Sequence, residues 1–297
     1  MKHERRSSPQ VSDNLKMPMK IAIAVVHGVG KQEPAFAEPM RRRLERLCGR
    51  LGGAEFVIHP VYWSPVFKRR EAEALKRAQT GGALRYPRLR RFVMGYLGDA
   101  IAYQMTPGDR RAYDRVHEAF ADTLRALAAV AGPTAPLCVI AHSLGTVIAS
   151  NYLYDLQADE SRNLIAPSVR ARMGSTPLDR GETLTLFYTL GSPIALWSLR
   201  YREFGLPIRV PSPHLTRHHP ALRGEWINFY DQDDVVATPL RSLNEDYGRV
   251  VTEDRQVNVG NLLTHWNPFS HLSYWTTRDV LKPIAAALVR TWKAINT

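Results

Sequence analysis

The sequence predicts an α/β chain built on a mostly parallel central sheet flanked by helices. Short β-branched or aromatic runs recur along it, helical stretches of apolar periodicity separate them, and several runs stop at glycine, serine or aspartate. With 297 residues, 44% hydrophobic and 23% charged, the chain is long enough for one large domain carrying an insertion. The same balance excludes disorder, collagen-like repeats and coiled-coil rods.

Residues 1–18 are polar, contain Pro9 and Pro18 and lack periodicity, so they read as a disordered leader, with Met17 or Met19 as alternative starts. No apolar core of a signal peptide follows them, and no uncharged apolar run approaches the roughly 20 residues of a spanning helix. Ile21 to Val26 (IAIAVV) reads as a buried parallel strand ending in HGVG, His27 to Gly30. A helix is expected over Ala35 to Leu51, stopped by Gly52 and Gly53, and a second strand over Phe56 to Trp63. Residues 64–110 are less regular, with basic helical stretches, and read as a helical insertion that could cap the site. Tyr113 to Ala131 is an amphipathic helix ended by Gly132 and Pro133. Strand three, Pro136 to Ala141, leads through SLG into a helix over Thr146 to Leu156, and Gln157 to Gly181 is expected as loop. Further strands are expected at Thr183 to Leu190, Glu225 to Tyr230 and Gln256 to Val259, before a C-terminal helix over Tyr274 to Trp292. Residues 19–297 thus form a single expected domain. In such sheets chemistry gathers where the strands end.

The strongest local signal is LCVIAHSLGTVIAS, Leu137 to Ser150. Ser143 lies between small residues two before (Ala141) and two after (Gly145), at a strand-to-helix junction, which matches the G-x-S-x-G nucleophile elbow with alanine in its first slot. The tight turn would lift the Ser143 hydroxyl above the sheet and put a helix N-terminus behind it. The alternative is that Ser143 simply caps the helix.

A nucleophilic serine needs a base, and the base a carboxylate that orients it. FYDQDDVVATPL (Phe229 to Leu240) offers Asp231, Asp233 and Asp234 directly after a strand. Asp234 is favoured because Val235 and Val236 would anchor the loop and turn the carboxylate inward, leaving Asp231 and Asp233 to cap the loop or face water. His271, in NPFSHLSYW, is the favoured base and His265 the second candidate. Val29 and Leu144 are the candidate amide donors to an oxyanion, with His27, Gly28 and Gly30 shaping the first of these loops.

The other histidines invite plainer accounts. His142 would pack beside Ser143, His59 and His117 within the structure, and His3 lies in the leader. His214, His218 and His219 resemble a ligand cluster but have no cysteine or paired carboxylate in their Pro-rich surroundings, so no metal is expected. Cys48 and Cys138 give no disulfide framework and fit a reducing, cytoplasmic compartment. Charge is uneven: from Arg41 to Arg91 there are 14 Lys and Arg against 4 Glu, a net +10 of the chain's +12. A solvated pair of basic helix faces is the simpler reading, and contact with an anionic membrane surface or acidic partner the sharper one. Nucleic-acid binding has only electrostatics in its favour.

Taken in order, VVHGVG, AHSLG, TLGSP, NFYDQDDVV and SHLSYW resemble the motifs of the α/β-hydrolase superfamily, on its lipase- and esterase-like side, over about residues 20–295. The resemblance implies the α/β-hydrolase fold, with Ser143 as nucleophile, Asp234 as acid, His271 as base and His27 to Gly30 as oxyanion loop, and no cofactor. Hydroxyl, imidazole and carboxylate would then form a continuous proton path. The implied activity is cleavage of a small or lipid-like carboxylic ester. Acyl transfer on the same triad, or a non-catalytic binding or signalling module using the basic face, are the alternatives. Tyr86, Phe92, Met94 and Tyr96 with neighbouring arginines suggest an acyl pocket with a basic rim inside the insertion.

Overall fold

A computed structural model describes residues 18–29, 32–80, 85–86, 98–106, 108–259, 271 and 273–297. Residues 1–17 of the expected leader 1–18, with Gly30, Phe92, Met94, Tyr96 and His265, lie outside the described residues.

Among the described residues six parallel strands form one sheet: β1 (Ile21–Val26), β2 (Phe56–Val61), β3 (Leu137–His142), β4 (Leu184–Leu190), β5 (Glu225–Tyr230) and β6 (Glu253–Gln256), in the order β2-β1-β3-β4-β5-β6. The fold is therefore α/β with an all-parallel sheet. Its principal helices are α1 (Glu38–Arg50), α2 (Pro65–Thr80), α3 (Arg111–Ala131), α4 (Leu144–Arg162) and α5 (Arg278–Asn296).

The continuous apolar run of β1 is explained by helices on both faces. Ala22, Ala24 and Val26 join one core cluster with Val116, Phe120 and Leu124 of α3 and Val147, Ile148 and Tyr152 of α4. Ile21, Ile23 and Val25 point the other way, into a cluster with Met40 and Leu44 of α1 and Leu281, Ile284 and Leu288 of α5. Cys48 and Cys138 are free thiols buried in this second cluster, and burial pushes the Cys48 thiol up to about 11.

Two expectations need correction. Helix α4 begins at Leu144, two residues earlier than expected, and runs through residues 157–162 that read as loop; it stops where Asn163 turns left-handed at φ 49°. The last strand is Glu253–Gln256, not Gln256 to Val259. As an edge strand it carries charged and polar side chains, which discourage further strand pairing, while Val257 and Val259 are buried beyond its end. Within 64–110, expected as a helical insertion, residues 65–80 form the regular helix α2.

All strand C-termini lie along one edge, because every pairing is parallel. The chain steps outward from β1 to β2, then crosses back to place β3 on the other side of β1. The strand order reverses between β1 and β3, and the crevice at such a reversal is where open α/β sheets bind ligands. His27 and Ser143 follow these two strands.

Candidate active site

Ser143 is the single residue between β3 and α4. Turning from strand to helix in one step forces its backbone to φ 53° and ψ −130°, a region that costs a side-chain-bearing residue on the order of 1–3 kcal/mol. The turn is pinned on both sides: Ser143 N–H donates to Leu190 O at 2.9 Å, and Ser143 O accepts from Thr146 N at 2.9 Å and Thr146 Oγ1 at 2.7 Å. Its own hydroxyl does not cap α4, and its buried Oγ has no hydrogen-bond partner among the described residues. The capping alternative therefore fails. The methyl of Ala141 is accommodated, fully buried between Val26 of β1 and Thr189 of β4. Gly145 is needed for close approach: a Cβ there would meet Val26 O at 2.7 Å and His27 O at 2.5 Å.

The loop after β1 runs against the serine. A Cβ on Gly28 would lie 2.6 Å from Ser143 Cβ and 3.2 Å from its Oγ. His27 is fully buried, stacked on Trp63 with ring centroids 4.5 Å apart, while the Trp63 indole N–H donates to His27 O at 3.0 Å. His27 Nδ1–H donates to Gly28 O at 2.7 Å. That bond fixes the Gly28–Val29 peptide plane, and in a trans peptide the Val29 N–H points opposite to the held carbonyl. Leu144, at the first helical position, has an N–H with no carbonyl one turn earlier in the helix to bond.

The loop after β5 supplies the carboxylate. Asp234 N–H donates to Asp231 O at 3.2 Å, closing a turn, and Val236 N–H donates to Asp234 Oδ1 at 3.1 Å. The other oxygen, Oδ2, accepts from His271 Nδ1 at 2.7 Å and from the Tyr274 hydroxyl at 3.0 Å. Burial alone would raise the Asp234 carboxyl. The His271 hydrogen bond and charge, with the bonds from Val236 and Tyr274, outweigh it and hold the acid below the usual carboxylate range. Val235 does not anchor the loop as expected, being 84% exposed. Hydrogen bonds hold it instead. Asp231, also buried, accepts from Asp233 N and Val259 N, so it caps the loop, and Asp233 is exposed.

His271 is brought beside Ser143 through β4. Leu190 accepts the Ser143 amide, and a Cβ on the next residue, Gly191, would lie 3.1 Å from both His271 Cε1 and Asp234 Oδ2. Ser143 Oγ and His271 are not joined by a hydrogen bond, so the expected continuous path is closed on the carboxylate side and open on the hydroxyl side. Nδ1 is the ring nitrogen bonded to Asp234.

Several contributors escaped the sequence reading. His142 packs as expected but also donates from Nε2 to His271 O at 2.6 Å, and burial pushes its imidazole down to about 3, so it stays neutral. Tyr274 links Asp234 to the Asp231 amide, whose N–H it accepts at 2.9 Å. Gly191, φ 55°, leaves the room that Tyr274, Asp234 and His271 fill. The one available signal was the TLGSP motif, whose glycine ends a strand.

The histidine-rich loop is tied down by protein groups. His218 Nε2 faces Glu182 Oε2 at 2.8 Å, a carboxylate distant in sequence, and His219 Nε2 donates to Thr134 O at 2.6 Å. On α1, Arg41 pairs with Glu38 and Glu45, and Arg42 with Glu38, which neutralises part of the basic segment. Among the described residues no helix is long and apolar enough to cross a membrane.

No family model matches the chain, and no curated protein matches it in sequence. Solved structures similar to it include a Pyrobaculum calidifontis esterase in a monoclinic form, at 12% identity and TM-score 0.40 over 93% of this chain and 78% of that one. Another is from a structural analysis of two fungal esterases of Rhizomucor miehei, at 11% identity and TM-score 0.41 over 94% and 76% of the respective chains.

Proposed function

We propose that this chain is an α/β-hydrolase-like serine hydrolase that cleaves a carboxylic ester. The observation that carries the reading is the 2.7 Å His271–Asp234 bond beside a buried serine hydroxyl on a strained strand-to-helix turn. A packed core has no evident use for that combination: the turn costs free energy and the hydroxyl satisfies nothing.

In this reading His271 Nε2 takes the proton of Ser143 Oγ as Oγ attacks the acyl carbon, and Asp234 holds the imidazole and stabilises its cation. The amides of Leu144 and Val29 receive the oxyanion, at the start of α4 where the helix field favours negative charge. Proton return from His271 releases the alcohol, and water, activated by the same imidazole, frees the acid from Ser143. Catalytic hydrogen bonds are commonly long before substrate arrives, so the open Ser143–His271 leg is compatible with this chemistry. Two buried free thiols fit action in the reducing cytoplasm, and the basic segment would meet any acidic surface the substrate occupies.

A fluorophosphonate probe tests the reading. Wild-type protein is expected to be labelled on Ser143, Ser143→Ala not at all, and Asp234→Asn far more slowly, with all three melting cooperatively. Undiminished labelling of Ser143→Ala, or inertness of the wild type toward both the probe and a panel of p-nitrophenyl esters, overturns it. Product analysis with competing alcohols and amines separates hydrolysis from acyl transfer.

A further inference from the structure

A cavity of about 460 Å³ lies beyond the first turn of α4, and none of Ser143, Asp234 and His271 lines it. That volume is within the range of small-molecule sites. Its inner end is bounded by Val147, one helical turn past Ser143, and by Ile194, three residues past Gly191. Thr146 Oγ1 and Ser192 Oγ, hydrogen-bonded at 2.8 Å, stitch the seam between the two places. The body of the cavity is largely aromatic: Tyr103, Trp197, Tyr201 and Tyr247 contribute walls from three separate segments. Tyr86, expected in an acyl pocket, is exposed and does not line this cavity, whose wall from the segment 64–110 is Tyr103 and Met105, beside α4 and residues 194–206.

The charge on its walls is sorted by depth. Arg162, Arg200 and Arg202 line the cavity from exposed positions. Arg162 donates to the Tyr154 hydroxyl and Arg200 lies over the Tyr201 ring, but none of the three meets a carboxylate among the described residues. Elsewhere Arg41, Arg110, Arg170, Arg249 and Arg290 all do. The one acid on the wall among the described residues, Asp155, is buried at 7% exposure and engaged by the Tyr113 hydroxyl at 2.8 Å. An anionic group is therefore attracted at the mouth and opposed inside, whereas apolar surface is favoured inside.

We propose that this cavity binds an amphipathic anion, with its apolar chain or ring inside and its single acidic group on Arg162, Arg200 and Arg202. As a substrate subsite, which would make the ester an acidic amphiphile, it rests on the hydrolase reading; as a binding site it does not.

Decanoate and decanol serve as probes, titrated into the full-length Ser143→Ala chain by calorimetry. Decanoate is expected to bind more tightly than decanol, and Arg200→Ala/Arg202→Ala, both exposed, to weaken decanoate on the order of tenfold or more while leaving decanol unchanged. Equal binding of the two probes, no binding of either, or an unchanged double variant overturns the proposal. In the wild-type background the same double variant is expected to raise KM for an ester with a terminal carboxylate and to leave kcat and the neutral analogue unaffected; equal KM values overturn the subsite assignment. Decanoate binding with no probe labelling of wild-type Ser143 would keep the cavity and refute the hydrolase reading, so the two failures are distinct.

Discussion

Replacing Gly28 with alanine adds one methyl group at the closest approach between the β1 loop and the serine. The backbone at Gly28 is not left-handed, so alanine costs nothing in conformation and the effect is one of contact alone. The new Cβ would stand 2.6 Å from Ser143 Cβ, whereas ordinary contact begins near 3.4 Å. Loop and serine must separate by about 0.8 Å, and the serine's turn is already pinned by Leu190 and Thr146. Misplacing a reacting group by about 1 Å costs on the order of 100-fold in rate, or about 2.7 kcal/mol of barrier. Overpacking of this kind costs about 1–3 kcal/mol of stability. The expected result is a fluorophosphonate labelling rate and an ester kcat/KM lowered about 100-fold in a protein that still melts cooperatively. Labelling at the wild-type rate would mean that Ser143 Oγ does not depend on this contact.

Other perturbations follow the same physics. Gly145→Ala drives a methyl into the carbonyls of Val26 and His27 at 2.7 and 2.5 Å, so it should lower Tm as well as activity; a wild-type melt would contradict the close packing of α4 on β1. Tyr274→Phe strips the Asp231 amide of its acceptor and Asp234 of a donor, which should cost about 1–3 kcal/mol in denaturant titration, and no change would show the bonds to be absent. Burial raises the Asp155 carboxyl from 3.8 to about 7. The folded state therefore holds that proton more tightly than the unfolded chain, and Asp155 lowers stability progressively as pH rises from about 4 to 7, by at most about 4 kcal/mol. Asp155→Asn should be the more stable protein at pH 8 and lose that advantage toward pH 4; parallel pH profiles would refute the shift. Burial holds His117 and His142 down to about 3. These two destabilise the fold as pH drops below about 6.5, each by about 1.4 kcal/mol per pH unit, and melts from pH 8 to pH 5 should show the decline once Asp155 is replaced.

Strand β5 was legible to the residue because its apolar run is sharply bounded, and β1 because burial on both faces leaves an unbroken apolar word. Edge strand β6 was not, since its side chains answer to solvent and its burial begins after it ends. Ser143 was marked by small neighbours that a tight turn demands, a purely local requirement. The carboxylate bonded to His271 was Asp234, for a different reason than expected: hydrogen bonds orient it, and Val235 points to water. Tyr274, His142 and Gly191 act through contacts between residues far apart in the chain, which composition and spacing do not encode. The aromatic cavity has the same origin, because its walls come from segments that only folding brings together.

The two cysteines lend the molecule a built-in clock. Cys48 and Cys138 are shut inside the apolar layer between the sheet and α1 with α5, and both thiols are driven toward their protonated, unreactive form. A mild alkylating reagent at neutral pH can reach them only when that layer parts. Their modification rate therefore reads out the opening of this half of the protein directly, with no engineered label, and any ligand that steadies the native state must slow it.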